Sequence, residues 1–211
     1  MIKIDIWSDV RCPFCYIGKH NLETALKEFE AREEVKVEWH SFQLDPNLET
    51  QPELSTIDYF KKTKNISEDQ ARQMLAGAKE MGAKAGLNLD LENSILANSF
   101  RAHQVIQLAK ENDLANEIEE ALFKAHFSER KNIDEIETLV KIGKSVGLKA
   151  SEVRSALEEE TFAYAVKQDE LEARNIGVRG VPFFVIDSKY GVSGAQPSAT
   201  FLEVLKKVKN G

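Results

Sequence analysis

Apolar and polar residues alternate over residues 2–7, with Ile2, Ile4 and Ile6 on one face, which predicts a first strand. Pro13 then stands where a helix would begin, a position at which its missing N–H costs nothing. Ile17, Leu22, Ala25, Leu26 and Phe29 keep helical spacing as far as about residue 32. A second alternating run, residues 35–39, predicts the next strand. Strand, helix and strand in quick succession imply a parallel, right-handed crossover.

The pattern changes after residue 50. Ser55 and Ser67 each open a helix-capping sequence, and Gly86 and Gly147 stand where helices would stop. Apolar residues recur at helical spacing over residues 95–111, 114–127, 136–146 and 162–174. Strand character returns after Gly177. Phe183-Phe184-Val185-Ile186 is a continuous apolar run, as expected of a central strand buried on both faces. A short link then leads to Tyr190-Gly191-Val192-Ser193, which suggests a hairpin, and Pro197 opens a last amphipathic helix. The expected fold class is α/β, with residues 1–49 and 177–211 forming one domain and residues 50–176 an inserted all-helical domain.

The 211-residue chain carries a formal net charge of −7, with 42% apolar and 30% charged residues. That balance excludes disorder and supplies no basic footprint for nucleic acid. No apolar stretch approaches the roughly 18 to 20 residues that span a bilayer. The N-terminal residues read as a strand and not as a signal peptide, so a cytoplasmic location is expected, where structural disulfides are rare.

Against that expectation stand two cysteines, Cys12 and Cys15, with Pro13 and Phe14 between them. With Pro13 as the first helical residue, Cys12 is the N-cap. Its sulfur is then expected to accept from the Phe14 or Cys15 N–H, and the helix dipole to favour its thiolate. Cys15, one turn further in, is expected to be less exposed, and the spacing lets the two sulfurs bond. Such a pair performs thiol–disulfide exchange: Cys12 forms a mixed disulfide and Cys15 resolves it. Pro13 stiffens the turn and Phe14 brings neither charge nor donor, so both tune the redox poise. A zinc site would need two further ligands from His20, His40, His103 and His126, none of which forms an H-x3-5-H pair.

Gly180-Val181-Pro182-Phe183 precedes the buried apolar run, with the proline at the strand's start. Together with residues 9–19 (Asp-Val-Arg-Cys-Pro-Phe-Cys-Tyr-Ile-Gly-Lys), residues 98–103 (Asn-Ser-Phe-Arg-Ala-His), residues 177–186 and residues 192–197, it resembles the DsbA-like thioredoxin-fold family, in its FrnE-type branch. The resemblance implies a thioredoxin fold with an inserted helical domain and a cis Val181–Pro182 peptide facing the dithiol. It also implies that Val181 and Pro182 bind substrate, leaving the Val181 backbone free to pair with an extended peptide. Members of the branch commonly carry Trp where this chain has Phe14, a difference that bears on redox potential and partner choice.

The expected function is therefore a cytoplasmic thiol–disulfide oxidoreductase or isomerase with Cys12 and Cys15 as catalytic residues. Its expected partners are protein or peptide thiols and disulfides, with glutathione or a thioredoxin-type protein recycling it. No metal and no cofactor beyond the dithiol are expected, nor nucleic acid or membrane. Two alternatives stand beside it. A glutathione-dependent isomerase or kappa-type transferase shares the fold family but uses Ser at the position of Cys12, and a holdase would grip unfolded chains in the interdomain cleft. Asn98 and His103 are either cleft residues or, respectively, a helix cap and a packed or surface histidine; His40 is either at the site's edge or a polar residue ending its strand.

Overall fold

The computed structural model describes residues 1–211. Strand β1 (Ile2–Ser8) leads into helix α1 (Pro13–Glu28), and a 3-10 turn (Arg32–Glu34) returns the chain to β2 (Val35–Ser41). β2 lies parallel to β1, with Ile2 opposite Val35 and Ser8 opposite Ser41. Seven helices follow: α2 (Thr56–Lys64), α3 (Glu68–Lys84), α4 (Phe100–Lys110), α5 (Ala115–Phe127), α6 (Ile136–Ser145), α7 (Ala150–Glu158) and α8 (Ala163–Asn175). The hairpin β3 (Phe183–Ile186) and β4 (Tyr190–Ser193) then rejoins the sheet antiparallel to β1, and α9 (Ser198–Asn210) closes the chain. Strand order is β2-β1-β3-β4. This β-α-β and β-β-α pairing is the thioredoxin arrangement, with the helices α2 to α8 between its halves.

Local chemistry explains the boundaries. Ser55 caps α2 by accepting from the Asp58 N–H, and Ser67 with Gln70 forms a complete capping box on α3. Gly86 and Gly147, just past the ends of α3 and α6, take φ of 81° and 108°, which favours glycine. α1 ends at Glu28, earlier than its apolar spacing implies, because Phe29 is already extended and turns toward β2. α7, not singled out in the sequence, buries Val153, Ala156 and Leu157 on one face.

β3 departs from the expectation of burial on both faces. Phe184 and Ile186 are fully buried while Phe183 and Val185 are only half-buried. One face of β3 packs on the main core, where Phe184 meets Phe201 of α9 edge-on at 4.7 Å. The other face joins a small buried cluster of Trp7, Ala173 and Val178, against which the half-buried Phe42, Val181, Phe183 and Val185 pack.

Candidate active site

Cys12 is the N-cap of α1 and Pro13 its first residue, so the dithiol sits where β1 hands over to a helix. The expected capping bond is absent. The helix start is closed by the backbone carbonyl of Cys12, which accepts from the Cys15 N–H at 3.0 Å and the Tyr16 N–H at 3.4 Å. The Cys12 thiol turns away, toward the carbonyl of Val181 at 3.6 Å. A sulfur directed there cannot also point at the amides of its own helix, and this is the physical reason for the difference.

Both cysteines are free thiols and both are buried, Cys12 at 4% exposure and Cys15 at 1%. Burial pushes the Cys15 thiol well above its ordinary value, and its contact with Cys12 adds to the shift. The Asp9 backbone N–H and the Ser8 hydroxyl, which face its sulfur, act against it. Cys15 is thus held as a thiol.

Val181 and Pro182 lie across from Cys12, and the peptide between them is cis. Pro182 is buried, and its carbonyl accepts from the Gly194 N–H at 2.9 Å. The Val181 N–H has no partner in the chain. Gly18, one turn beyond Cys15 on α1, lets the helix approach: a Cβ there would stand 3.1 Å from Pro182 Cγ and 3.1 Å from Phe184 Cζ.

Behind the dithiol lies a buried polar group that the sequence reading weighed only in part. The Asp9 carboxylate accepts from the N–H groups of Arg11 at 3.0 Å and Leu44 at 2.8 Å, and His103 Nε2 stands 3.6 Å away. Burial alone would push the Asp9 carboxyl up, but His103, Arg11 and the Leu44 amide outweigh it and hold it below the usual range. Burial likewise opposes charge on His103, and Asp9 overcomes it, holding the imidazole above its ordinary value. Glu119, buried nearby, is pushed up to about 7 by that burial.

The secondary candidates fall elsewhere. Asn98 secures the start of α4, accepting from the Phe100 N–H at 2.7 Å and donating to the Leu48 carbonyl at 2.7 Å. His103 is fully buried behind Asp9 rather than lining the cleft. His40 bridges Asp5 at 2.8 Å and Asp169 at 3.2 Å and stacks on Trp7, so it joins α8 to the sheet.

An interdomain cleft was expected, but the elements that wall it were not. An open groove of about 830 Å³ runs from Cys12, Pro13 and Phe14 between α2 and α3. Tyr59 and Phe60 of α2 face Met74, Leu75 and Met81 of α3 across it. The available signal was Met74 and Met81 seven residues apart, two helical turns on one face of α3, a stripe more polar than a core helix would leave around them.

Comparison with known proteins places this geometry in context. Residues 3–206 match the family model described as the DSBA-like thioredoxin domain. A probable DsbA oxidoreductase, SCO1869 from Streptomyces coelicolor, superposes with a TM-score of 0.93 at 33% identity, covering 100% of this chain and 91% of that one. The uncharacterized protein YwbO of Bacillus subtilis (strain 168) is 30% identical over 189 residues, 88% of this chain and 86% of its own. The cytosolic disulfide reductase DsbM from Pseudomonas aeruginosa shares the fold, with a TM-score of 0.69 at 15% identity over 99% of this chain and 100% of that one.

Proposed function

The chain belongs to the DsbA-like thioredoxin-domain family, and on that premise we propose that it is a thiol–disulfide oxidoreductase acting on protein substrates through Cys12 and Cys15. The observation that carries this reading is the pair of free thiols at the start of α1 with the Val181 carbonyl 3.6 Å from the Cys12 sulfur.

In the reducing direction the Cys12 thiolate attacks one sulfur of a substrate disulfide. A Cys12–substrate disulfide forms, and the other substrate sulfur leaves as a thiolate that takes up a proton from water. Cys15, held as a thiol by burial, gives up its proton to water and attacks the Cys12 sulfur. The Cys12–Cys15 disulfide forms, the second substrate thiolate leaves, and two electrons have passed to the substrate. Run backward, the same steps oxidise a dithiol; when another thiolate of the substrate attacks the substrate sulfur of the mixed disulfide before Cys15 does, a new substrate disulfide forms, Cys12 leaves as a thiolate, and the outcome is isomerisation. Pro13 fixes the first turn and Phe14 adds no polar group, so both set the poise of the pair. An extended substrate chain pairs with the unpartnered Val181 N–H beside Pro182, in the strand-addition mode.

Both cysteines of the chain are spent on the dithiol, which leaves none for a structural disulfide and suits a cytoplasmic setting. Glutathione as the recycling reductant draws support from the P. aeruginosa DsbM structure with GSH. No helix here is long and apolar enough to cross a membrane.

Substituting the cysteines one at a time tests the reading. Cys15→Ser is expected to accumulate mixed disulfides through Cys12, visible by mass spectrometry and lost on reduction. Cys12→Ser is expected to form none and to lose turnover. Retained dithiol turnover in Cys12→Ser would overturn the assignment.

A further inference from the structure

β2 is an edge strand, with β1 on one side of it and no strand on the other. In a parallel pair, the main-chain groups of successive residues point alternately toward the neighbour and away from it. The Phe42 N–H donates to the Ser8 carbonyl at 3.0 Å, so the even-numbered residues of this stretch face β1. Val35, Val37, Trp39 and Ser41 therefore face outward.

α8 covers the C-terminal part of that outer edge. Its Asp169 carboxylate accepts from the Ser41 N–H at 2.8 Å, and Glu170 accepts from the Gln43 N–H at 3.1 Å. The rest of the edge is open. The Val35 N–H is spent on the Arg32 carbonyl, but the Val37 and Trp39 N–H groups have no acceptor in the chain. They border a groove of about 460 Å³ between β2 and residues 110–117, where α4 passes to α5. Trp39 is only 2% exposed, and a backbone N–H so far from water costs free energy when unpaired. A bare edge of this kind is a template for another strand.

The side chains of β2 specify which strand. Lys3 of β1 pairs with Asp5 at 2.8 Å and with Glu38 at 2.9 Å. Lys36 is exposed, stands opposite Lys3 in the register and has no carboxylate partner in the chain. Residues 35–39, Val-Lys-Val-Glu-Trp, are complementary to themselves when reversed about Val37. Val35 then meets Trp39, and Lys36 meets Glu38 on each side of the centre. This register also sets outward-facing residues against outward-facing residues, which a shift by one position does not. A shift by two sets Lys36 or Glu38 against its own copy, a like-charge pair.

We propose that a second copy of this chain pairs antiparallel with β2 across a two-fold axis at Val37, joining the sheets in the order β4-β3-β1-β2-β2-β1-β3-β4. Each Val37 N–H donates to the partner's Val37 carbonyl, and each Trp39 N–H to the partner's Val35 carbonyl. Lys36 lies beside the partner's Glu38 at a non-hydrogen-bonded position, where facing side chains stand closest. Cys12 follows β1 and Val181 precedes β3, so the dithiol is away from the joined edge. The antiparallel arrangement sends the two dithiols to opposite ends of the joined sheet.

Sedimentation equilibrium of the reduced full-length protein tests the pairing, with a reversible monomer–dimer equilibrium expected inside a range of about 1–500 µM. Lys36→Glu sets a carboxylate against Glu38 on both sides of the axis and should weaken the dimer by about tenfold or more. Lys36→Glu with Glu38→Lys restores opposite charges and should return it to within about threefold of the parent. Val37→Pro removes an N–H that the β1 ladder does not use, so the edge tolerates it, and the protein should be monomeric. Unchanged far-ultraviolet circular dichroism is expected for each variant. A parent protein that stays monomeric throughout would overturn the proposal. So would a dimer that survives both Lys36→Glu and Val37→Pro, or a double variant that dimerises no better than Lys36→Glu.

Discussion

The Cys12 sulfur stands 3.6 Å from the carbonyl oxygen of Val181, a residue 169 positions away in the chain. The contact joins the two halves of the sheet at the Cys12 sulfur: Cys12 starts α1 after β1, and Val181 precedes β3, which pairs antiparallel with β1. In the dithiol state the thiol is the donor and the carbonyl the acceptor.

Oxidation removes that donor. The carbonyl 13C shift of Val181 is therefore expected to differ between the reduced and oxidised protein, while that of Ile186, deep in β3, stays fixed. Identical Val181 shifts in both states would contradict the thiol–carbonyl bond.

Gly18 lies where α1 packs tightly on Pro182 and Phe184. A glycine inside a helix costs about 0.5–1 kcal/mol relative to alanine, so Gly18→Ala would be favourable if space allowed. It does not: the new Cβ meets buried Pro182 and Phe184, each 3.1 Å away, and Phe184 is itself held against Phe201. Net destabilisation of about 1–2 kcal/mol is expected, read as a lower urea midpoint at unchanged slope. Gly77→Ala in α3, with nothing within 4 Å of its Cβ, should raise the midpoint. A Gly18→Ala midpoint as high as that of Gly77→Ala would contradict the packing account.

The contrast between these two glycines shows what the amino-acid order revealed and what it hid. Cys12, Pro13 and Cys15 are adjacent in the chain, and proline at a helix start is a local rule, so the dithiol was legible before any fold was known. The partnership with Val181 was legible only through a resemblance spread over distant blocks. The α2–α3 groove was not legible, because its walls come from residues 44–84 and its floor from residues 11–14, brought together by packing alone. The direction of the Cys12 side chain was misjudged for a related reason: a local capping rule competed with a tertiary acceptor, and the tertiary acceptor won.

Two histidines should give stability opposite slopes with pH. Burial opposes charge on His40, but the hydrogen bonds it donates to Asp169 and Asp5 outweigh it and hold its pKa above 6.5. Also facing it are Glu38 of β2, Glu172 of α8 and Lys110 of α4. A folded-state pKa raised above the unfolded value gives stability that is full below about pH 6.5 and declines as pH rises through the folded value. His40→Gln should flatten that alkaline decline in urea midpoints measured from pH 6 to 9, and an unchanged slope would contradict the bridge.

His126 behaves the other way. Burial pushes its imidazole down to about 3, and the Arg11 charge adds to the shift. Its contribution is full above about pH 6.5 and is lost as pH falls toward 3. His126→Leu, which cannot take up the proton, should lessen the loss of stability between pH 6.5 and 4. An acid limb as steep as that of the parent protein would show that other groups drive it.

The central claim is that Cys12 and Cys15 form one reversible two-electron couple. Its most direct measurement is a titration of the purified protein against defined ratios of reduced and oxidised glutathione, with free thiols counted by alkylation and mass. The account predicts a single transition between two thiols and none, with a midpoint inside the roughly −270 to −120 mV range of related dithiols, and its loss in Cys12→Ser and Cys15→Ser alike. A stable glutathione adduct on one cysteine, or no reversible transition at any ratio, would contradict it.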